Sequence, residues 1–100
     1  MNSYQLRIDP FAEYDMQHAK DWYNDKSENL GKDFMIEVEK TISQMLNNPY
    51  QFPEITRGRR KAVLHRFPYT LFYKIGINTV DLYAVFHNSR NPVIWKRRRK

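Results

Sequence analysis

The spacing of apolar residues changes along this chain, and the change restricts the possible folds more than any other feature. From residue 30 to residue 45, apolar side chains recur every three or four positions, which is the period of a helix. From residue 61 onward they fall in short runs that partly alternate with polar residues, which is typical of strands. One such change in 100 residues predicts a single domain, residues 1–100, with helices before most of the strands.

The first half of the sequence gives clear boundaries for two helices. "YQLRI" at 4–8 predicts a short first strand, and Asp9-Pro10 resembles a helix start, with an N-cap side chain followed by proline. The first helix is predicted to run to Ser27 or Glu28. A second helix is predicted to begin after Asn29 as its cap and to end at "NNP", residues 47–49. Two helices joined this closely should form an antiparallel hairpin.

The second half predicts a loop over 49–59 and strands over 61–67, 69–75 and 79–87. The order β-α-α-β-β-β indicates an α+β fold, with a small, mainly antiparallel sheet and the helical hairpin packed on one face. In the last strand, alternation predicts Val80, Leu82, Ala84 and Phe86 on one face, with Asp81, Tyr83, Val85 and His87 on the other.

Charge is strongly segregated between the two halves. Residues 1–56 carry five Lys or Arg against ten Asp or Glu, and residues 57–100 carry twelve against one. A one-sided positive field indicates a polyanionic or acidic partner. The run at 96–100 is predicted to be a basic tail, with a solvated, frayed end as the alternative interpretation. Asn91-Pro92 is predicted to restart a helix, and Trp95 is predicted to fold back onto the sheet.

Composition also argues against several classes of protein. The absence of cysteine excludes disulfides and thiolate metal sites and favours the cytoplasm. The start of the chain lacks a signal-peptide pattern, and its apolar runs are too short for a membrane span. Three glycines form no phosphate loop, and the histidines have no ligand spacing, so neither a cofactor nor a metal is expected.

Basic and aromatic residues in the second half could bind phosphates and stack bases. A similar set could cleave RNA without a metal, because a base must activate the 2′-OH while cations stabilise the phosphorane charge. His87 also has a simpler interpretation, in which it hydrogen-bonds to backbone at the end of a strand. The residues predicted for contact with a target are Arg57, Arg59, Arg60, Lys61, Arg66, Arg90, Lys96, Arg97 and Arg98.

The stretches "RRKAVLHRFPYTLFYKI" and "VDLYAVFHNSRNPVIWKRR" resemble the RelE/ParE family of bacterial toxins from type II toxin–antitoxin modules. The resemblance covers nearly the whole chain and is specific in its second half. It implies the fold derived above and growth arrest that an acidic antitoxin, encoded by a neighbouring gene, holds in check. The toxin would then occur as a hetero-oligomer with that antitoxin.

The family has two branches, and the resemblance implies different targets for them. RelE-like members cleave mRNA in the ribosomal A site, whereas ParE-like members poison DNA gyrase. This chain has Thr70 and Trp95 where the nuclease type carries arginine and tyrosine, and of its paired lysines only Lys61 has a counterpart, with Val63 at the other position. The sequence therefore favours a gyrase-directed toxin. The alternatives are a ribosome-dependent endonuclease and a non-toxic nucleic-acid-binding regulator. If the chain is a ribonuclease, the residues expected to act are Lys61, His65, Arg66, His87 and Arg90.

Overall fold

The computed structural model describes residues 3–89. The predictions for Arg90, the 91–92 restart, Trp95 and the basic tail lie outside this range. Two helices precede most of the sheet, as predicted, and the sheet has five strands where four were predicted. The elements are β1 (Gln5–Ile8), α1 (Pro10–Lys26), α2 (Leu30–Asn47), a 3-10 turn (Pro49–Gln51), β2 (Glu54–Thr56), β3 (Arg59–Val63), β4 (Tyr69–Ile75) and β5 (Thr79–His87).

The segment predicted as a loop before residue 60 contains more structure than its composition indicates. It holds the 3-10 turn and the short strand β2, which pairs antiparallel with β3. Strand β3 ends at Val63 instead of residue 67, and residues 64–68 form the connection to β4. The predicted α+β class and element order hold, with β2 added between the helices and the predicted strands.

The start of α1 follows the predicted capping chemistry. The Asp9 carboxylate accepts a hydrogen bond from the backbone N–H of Phe11 at 2.9 Å, and Pro10 occupies the first helical turn. The start of α2 differs from the prediction. Asn29 is at the N-cap position in the left-handed region, with φ of 69°, and its side chain forms no cap. The side chain of Asn24 on α1 accepts from the N–H of Gly31 at 2.9 Å instead.

Strands β1, β5, β4, β3 and β2 lie side by side in that order. Only β1 pairs parallel, with Leu6 beside Val80, and the other neighbours are antiparallel. Helices α1 and α2 cover one face of the sheet. The core there includes buried side chains from both helices, such as Phe34 and Met45, together with Leu71 and Tyr73 of β4. No helix within residues 3–89 is long and apolar enough to cross a membrane.

A β-bulge in β5 changes which residues face the helices. Phe72 pairs with Ala84 and Tyr73 pairs with Leu82, so Tyr83 is an extra residue in β5. Val80, Leu82 and Val85 pack in the helix-side core, whereas Tyr83, Ala84 and Phe86 form a second cluster on the other face. The predicted alternation is therefore correct through Tyr83 and wrong from Ala84 onward, because one added residue reverses the side of every residue that follows it.

The bulge is held by a buried carboxylate from α1. Asp15, which is 8% exposed, accepts a hydrogen bond from the backbone N–H of Val85 at 3.0 Å. A bulge leaves the sheet ladder locally disrupted, and a buried backbone donor without an acceptor is costly. Asp15 thus accepts the hydrogen bond of a backbone N–H next to the bulge, where the facing of the side chains reverses, and this bond links α1 to β5.

Candidate functional site

The sheet face that points away from the helices is called the open face here. Alternation and pairing register assign side chains to it, because Phe72 of the second cluster pairs with Lys61 and with Ala84. Its members are Arg7, Ile55, Arg59, Lys61, Val63, Thr70, Phe72, Lys74, Asp81, Tyr83, Ala84 and Phe86. Four cations and one carboxylate share this face with three aromatic rings, which is a composition suited to a polyanionic partner.

One end of the open face contains a pocket of ≈ 280 Å³, called the cationic pocket here. In the strand register, Arg59 of β3 lies opposite Lys74 of β4, and Arg7 of β1 lies beside Asp81 of β5. The guanidinium of Arg59 lies 5.3 Å from the centre of the Tyr83 ring, at the bulge. The lining residues are Arg7, Ile8, Asp9, Arg59, Lys74, Asp81 and Tyr83.

Arg60 lies on the opposite side of the sheet from its two basic neighbours. Its guanidinium donates to the carbonyl oxygen of Phe52 at 2.7 Å and to that of Tyr50 at 3.2 Å. It also lies 5.2 Å from the Tyr50 ring. Arg60 therefore fastens the 49–53 segment to β3, and the "RRK" run is divided between two faces.

Tyr73 takes part in the same attachment. Its hydroxyl donates to the carbonyl oxygen of Pro49 at 2.6 Å, and the residue is fully buried. Burial raises the pKa of Tyr73 to about 12, although the nearby positive charge of Arg60 acts in the opposite direction. Tyr73 is thus a core residue and is not available for base stacking.

The described residues among those proposed for ribonuclease chemistry are not joined into one hydrogen-bonded group. Glu37 of α2 accepts from the backbone N–H of His65 at 2.7 Å and from that of Arg66, and the Arg66 side chain pairs with Asp33 at 3.3 Å. His87 accepts from the backbone N–H of Ser89 at 3.1 Å, which confirms the predicted backbone hydrogen bond. Within residues 3–89, no hydrogen bond or ion pair connects Lys61 to any of these side chains.

The structure thus brings together Arg59 and Lys61 from the predicted target-binding set. Arg57 lies exposed in the β2–β3 turn, Arg66 is in the β3–β4 connection, and Arg60 is on the helix side. Arg90, Lys96, Arg97 and Arg98 lie outside the described residues.

Sequence reasoning missed Arg7 and Lys74 as members of the cationic pocket. Arg7 belongs to the acidic half of the chain, and it reaches the pocket only because β1 pairs with β5. For Lys74, a signal was available, since pairing β3 antiparallel with β4 sets Lys74 opposite Arg59. No group of three potential metal ligands is present in the described part of the chain.

Solved structures with the same architecture include toxins and toxin–antitoxin assemblies. A chain from the chromosomal ParDE system of P. aeruginosa has a TM-score of 0.74 at 13% identity, covering 85% of this chain and 96% of that one. The isolated E. coli RelE toxin has a TM-score of 0.67 at 18% identity, with 95% of each chain covered. A chain of the RelBE2 complex from Mycobacterium tuberculosis has a TM-score of 0.58 at 21% identity, covering 90% and 97%.

At these identities the structural similarities define the fold, which is that of the RelE and ParE toxins. Comparison with curated protein sequences gives no match. The model of the family described as "ParE toxin of type II toxin-antitoxin system, parDE" matches residues 6–92. The chain therefore belongs to the ParE toxin family and is a toxin of a type II toxin–antitoxin system, which confirms the resemblance seen in its sequence.

Proposed function

We propose that this toxin arrests growth by poisoning DNA gyrase, and that it contacts the gyrase–DNA complex through the open face. The proposal depends on the identity of three neighbouring residues on that face, Lys61, Val63 and Thr70. Lys61 and Val63 are two apart on β3, and Thr70 pairs with Val63. These positions correspond, by resemblance, to two lysines and an arginine of the nuclease branch.

Only one of the three positions retains a cation. Val63 has no titratable group, and Thr70 is buried, with its hydroxyl donating to the Asn88 side-chain oxygen at 2.7 Å. Phosphorane charge is stabilised by cations aimed at the reacting phosphate, so replacing two of three removes most of that stabilisation. A toxin that acts by binding needs no such set, and the remaining cations suit attachment to a DNA-bearing complex.

We infer that the natural partner is an acidic antitoxin, with which the toxin forms a hetero-oligomer. The E. coli RelE and YafQ chains with this fold come from complexes described as RelBE and DinJ-YafQ toxin–antitoxin complexes. The open face has cations for antitoxin carboxylates, and α1 and α2 carry exposed apolar side chains, including Tyr14, Trp22 and Ile36, for apolar anchors. Co-expression with the product of the neighbouring gene should yield a complex that salt weakens only in part. Separate elution of the two proteins at low salt would contradict this inference.

The gyrase proposal is tested by parallel assays on the wild-type chain. Purified toxin is added to gyrase with relaxed plasmid, and supercoiling and protein-linked DNA breaks are measured. The same preparation is added to translating ribosomes, and mRNA cuts are mapped by primer extension. We expect loss of supercoiling with DNA breaks and intact mRNA.

Lys61→Glu and Lys40→Glu form a matched pair for the role of the open face. Both residues are lysines, but Lys40 is exposed on α2, away from this face. We expect Lys61→Glu to abolish growth arrest and Lys40→Glu to retain it, with both proteins folded by circular dichroism. Equal toxicity of the two variants would remove the open face from the mechanism.

The ribosome-dependent endonuclease is the second candidate, and the position of Lys61 on the open face favours it. His65 and Arg66 belong to the connection between β3 and β4, and His87 ends β5. The end of β5 lies beside this connection, because the Asn88 N–H donates to the Pro68 carbonyl oxygen at 2.8 Å. Codon-phased mRNA cuts with intact supercoiling would establish this function and reject gyrase. Harmless overexpression without the antitoxin would instead favour a non-toxic nucleic-acid-binding regulator.

A further inference from the structure

We propose that the cationic pocket binds a phosphate group, as a site separate from the Lys61–Val63–Thr70 positions. Arg59 and Val63 are at opposite ends of β3, which separates the two regions by about 13 Å at the usual rise of a strand. Three strands supply the cations of the pocket: Arg7 from β1, Arg59 from β3 and Lys74 from β4. The inference deepens the proposed function, because DNA held by gyrase would supply such a phosphate.

The strongest observation is the state of Arg59. This residue is only 7% exposed, it lines the pocket, and its side chain has no hydrogen bond or ion pair with any residue of the described chain. Its contact is the Tyr83 ring, at 5.3 Å. A buried guanidinium is normally matched by a carboxylate or several acceptors, because leaving its charge uncompensated is costly. Arg59 therefore provides fixed donors for an anion that enters from the pocket.

The two carboxylates that line the pocket form no ion pair with Arg59 within the described residues. Asp9 is engaged with the N–H of Phe11 at the start of α1. Asp81 forms no ion pair within the described residues, and its Oδ1 atom is buried without a hydrogen-bond partner. The lining thus holds three cations and two carboxylates, and within the described residues no ion pair joins either carboxylate to Arg59. Asp81 opposes an incoming anion, so its charge limits how tightly the pocket binds.

A phosphate fits this lining better than the other candidate ligands. The pocket lacks three grouped carboxylate or imidazole ligands, as does the rest of the described chain, so a metal ion is not favoured. Arginine donors in a fixed fork suit the oxygens of a phosphate. The phosphate could be free or part of a nucleic-acid backbone, and the two sources have the same chemistry at the pocket.

The test uses the full chain and two probes. Inorganic phosphate is titrated at constant ionic strength while the backbone amides of residues 7, 59, 74 and 81 are followed by NMR. A fluorescein-labelled 20-mer, single-stranded or duplex, is titrated by anisotropy at several salt concentrations. Arg7→Gln and Lys74→Gln change exposed residues, so folding should be retained, and Lys40→Gln on α2 is the matched control.

We expect Arg7→Gln and Lys74→Gln each to weaken binding about tenfold, with Lys40→Gln unchanged, because each removes a donor to a charged oxygen. Asp81→Asn should strengthen binding several-fold, an effect that a merely structural role would not produce. If DNA supplies the phosphate, each loss should also lower the salt dependence of duplex binding by about 0.9 in log–log slope. Phosphate binding with DNA affinity unaffected would support the anion site and identify free phosphate as its ligand.

The proposal is overturned if phosphate leaves these amides unshifted and the variants bind DNA like the wild type. It is also overturned if oligoglutamate binds while phosphate and DNA do not, because the pocket would then serve an acidic peptide. Failure of the pocket can be separated from failure of the proposed function. Gyrase inhibition by the wild type with no phosphate response at these amides and no effect of the variants on DNA binding would reject the pocket alone, and phosphate binding without gyrase inhibition would reject the gyrase proposal alone.

Discussion

The two faces of the β-sheet are built from the same strands but differ in composition, since one packs apolar side chains against the helices and the other carries most of the sheet's cations. On β4, Leu71 and Tyr73 are fully buried against the helices, whereas Lys74 is exposed on the open face. The helix side joins aromatic rings from four segments. Tyr23 and Phe34 contact each other, and each also contacts the rings of Phe67 and Tyr69, at centroid separations of 4.9–6.0 Å. The open face combines cations with aromatic rings. The helix side is thus almost wholly apolar, whereas the open face holds a second, smaller cluster of buried aromatic rings beside its cations.

The largest expected effect comes from emptying the helix-side core. Phe34 is fully buried and contacts three other rings, so Phe34→Ala should cost about 3–5 kcal/mol in the free energy of unfolding. Ile36, two residues further along the same helix and 53% exposed, is the matched control, and Ile36→Ala should cost far less. Urea unfolding measures both. Equal losses would mean that the two sides of α2 contribute alike, which contradicts the assigned core.

The second effect depends on pH and tests how well the core excludes charge. The pKa of Tyr73 is about 12 in the folded chain against an ordinary value of 10, so the folded state holds this proton more tightly. Its contribution is complete below pH 10 and is lost as the pH rises toward 12, amounting to about 3 kcal/mol. Burial also raises the pKa of Tyr23, which acts in the same direction.

The difference between wild type and Tyr73→Phe isolates the Tyr73 contribution to this pH dependence. The phenylalanine variant should be less stable at pH 8, because it loses the hydrogen bond to Pro49, and it should lose less stability between pH 10 and 12. The measurement is urea unfolding at each pH. Parallel curves for the two proteins over that window would show that the Tyr73 hydroxyl titrates normally.

The third effect separates two neighbouring cations that the sheet assigns to opposite faces. Arg60→Ala should cost about 2–3 kcal/mol, because it removes two hydrogen bonds from a charged donor to the 49–53 segment. Lys61→Ala should change stability by less than about 0.5 kcal/mol, since the Lys61 side chain forms no hydrogen bond or ion pair in the described residues. Arg60→Ala should therefore lower the melting temperature and keep growth arrest, whereas Lys61→Ala should keep the melting temperature and lose growth arrest. Loss of toxicity with Arg60→Ala at unchanged stability would return Arg60 to the target-binding set.

The smallest of the four effects concerns the bulge that separates the two faces. Asp15→Ala leaves the buried N–H of Val85 without its acceptor, which should cost about 1–3 kcal/mol. Asp25→Ala removes an exposed carboxylate from the same helix and should be nearly neutral. Amide exchange of Val85 is the direct measurement, and it should accelerate in Asp15→Ala alone. Unchanged protection would mean that the bulge holds its geometry without the helix.

Both helices, four of the five strands, their order and the family could be predicted from the sequence alone, whereas the 3-10 turn and β2 could not. Capping chemistry at Asp9-Pro10 and apolar spacing in α2 are local signals, so both helices can be predicted without knowing what they pack against. The "RRK" run and the C-terminal pattern likewise identified the toxin family, which the match over residues 6–92 confirms. Local signals were enough because each of these features depends on residues close together in the chain.

Which of the predicted residues share a site depends on contacts between distant parts of the chain. The extra residue at Tyr83 reverses the faces of β5, and the carboxylate that holds it, Asp15, is 70 positions away from Val85. Arg7 joins the cationic pocket through a parallel pairing between the first and last strands. Such contacts connect residues that are far apart in the chain, and no local spacing encodes them. A strand pattern is therefore informative about periodicity but does not by itself define a face, because one bulge changes every later assignment.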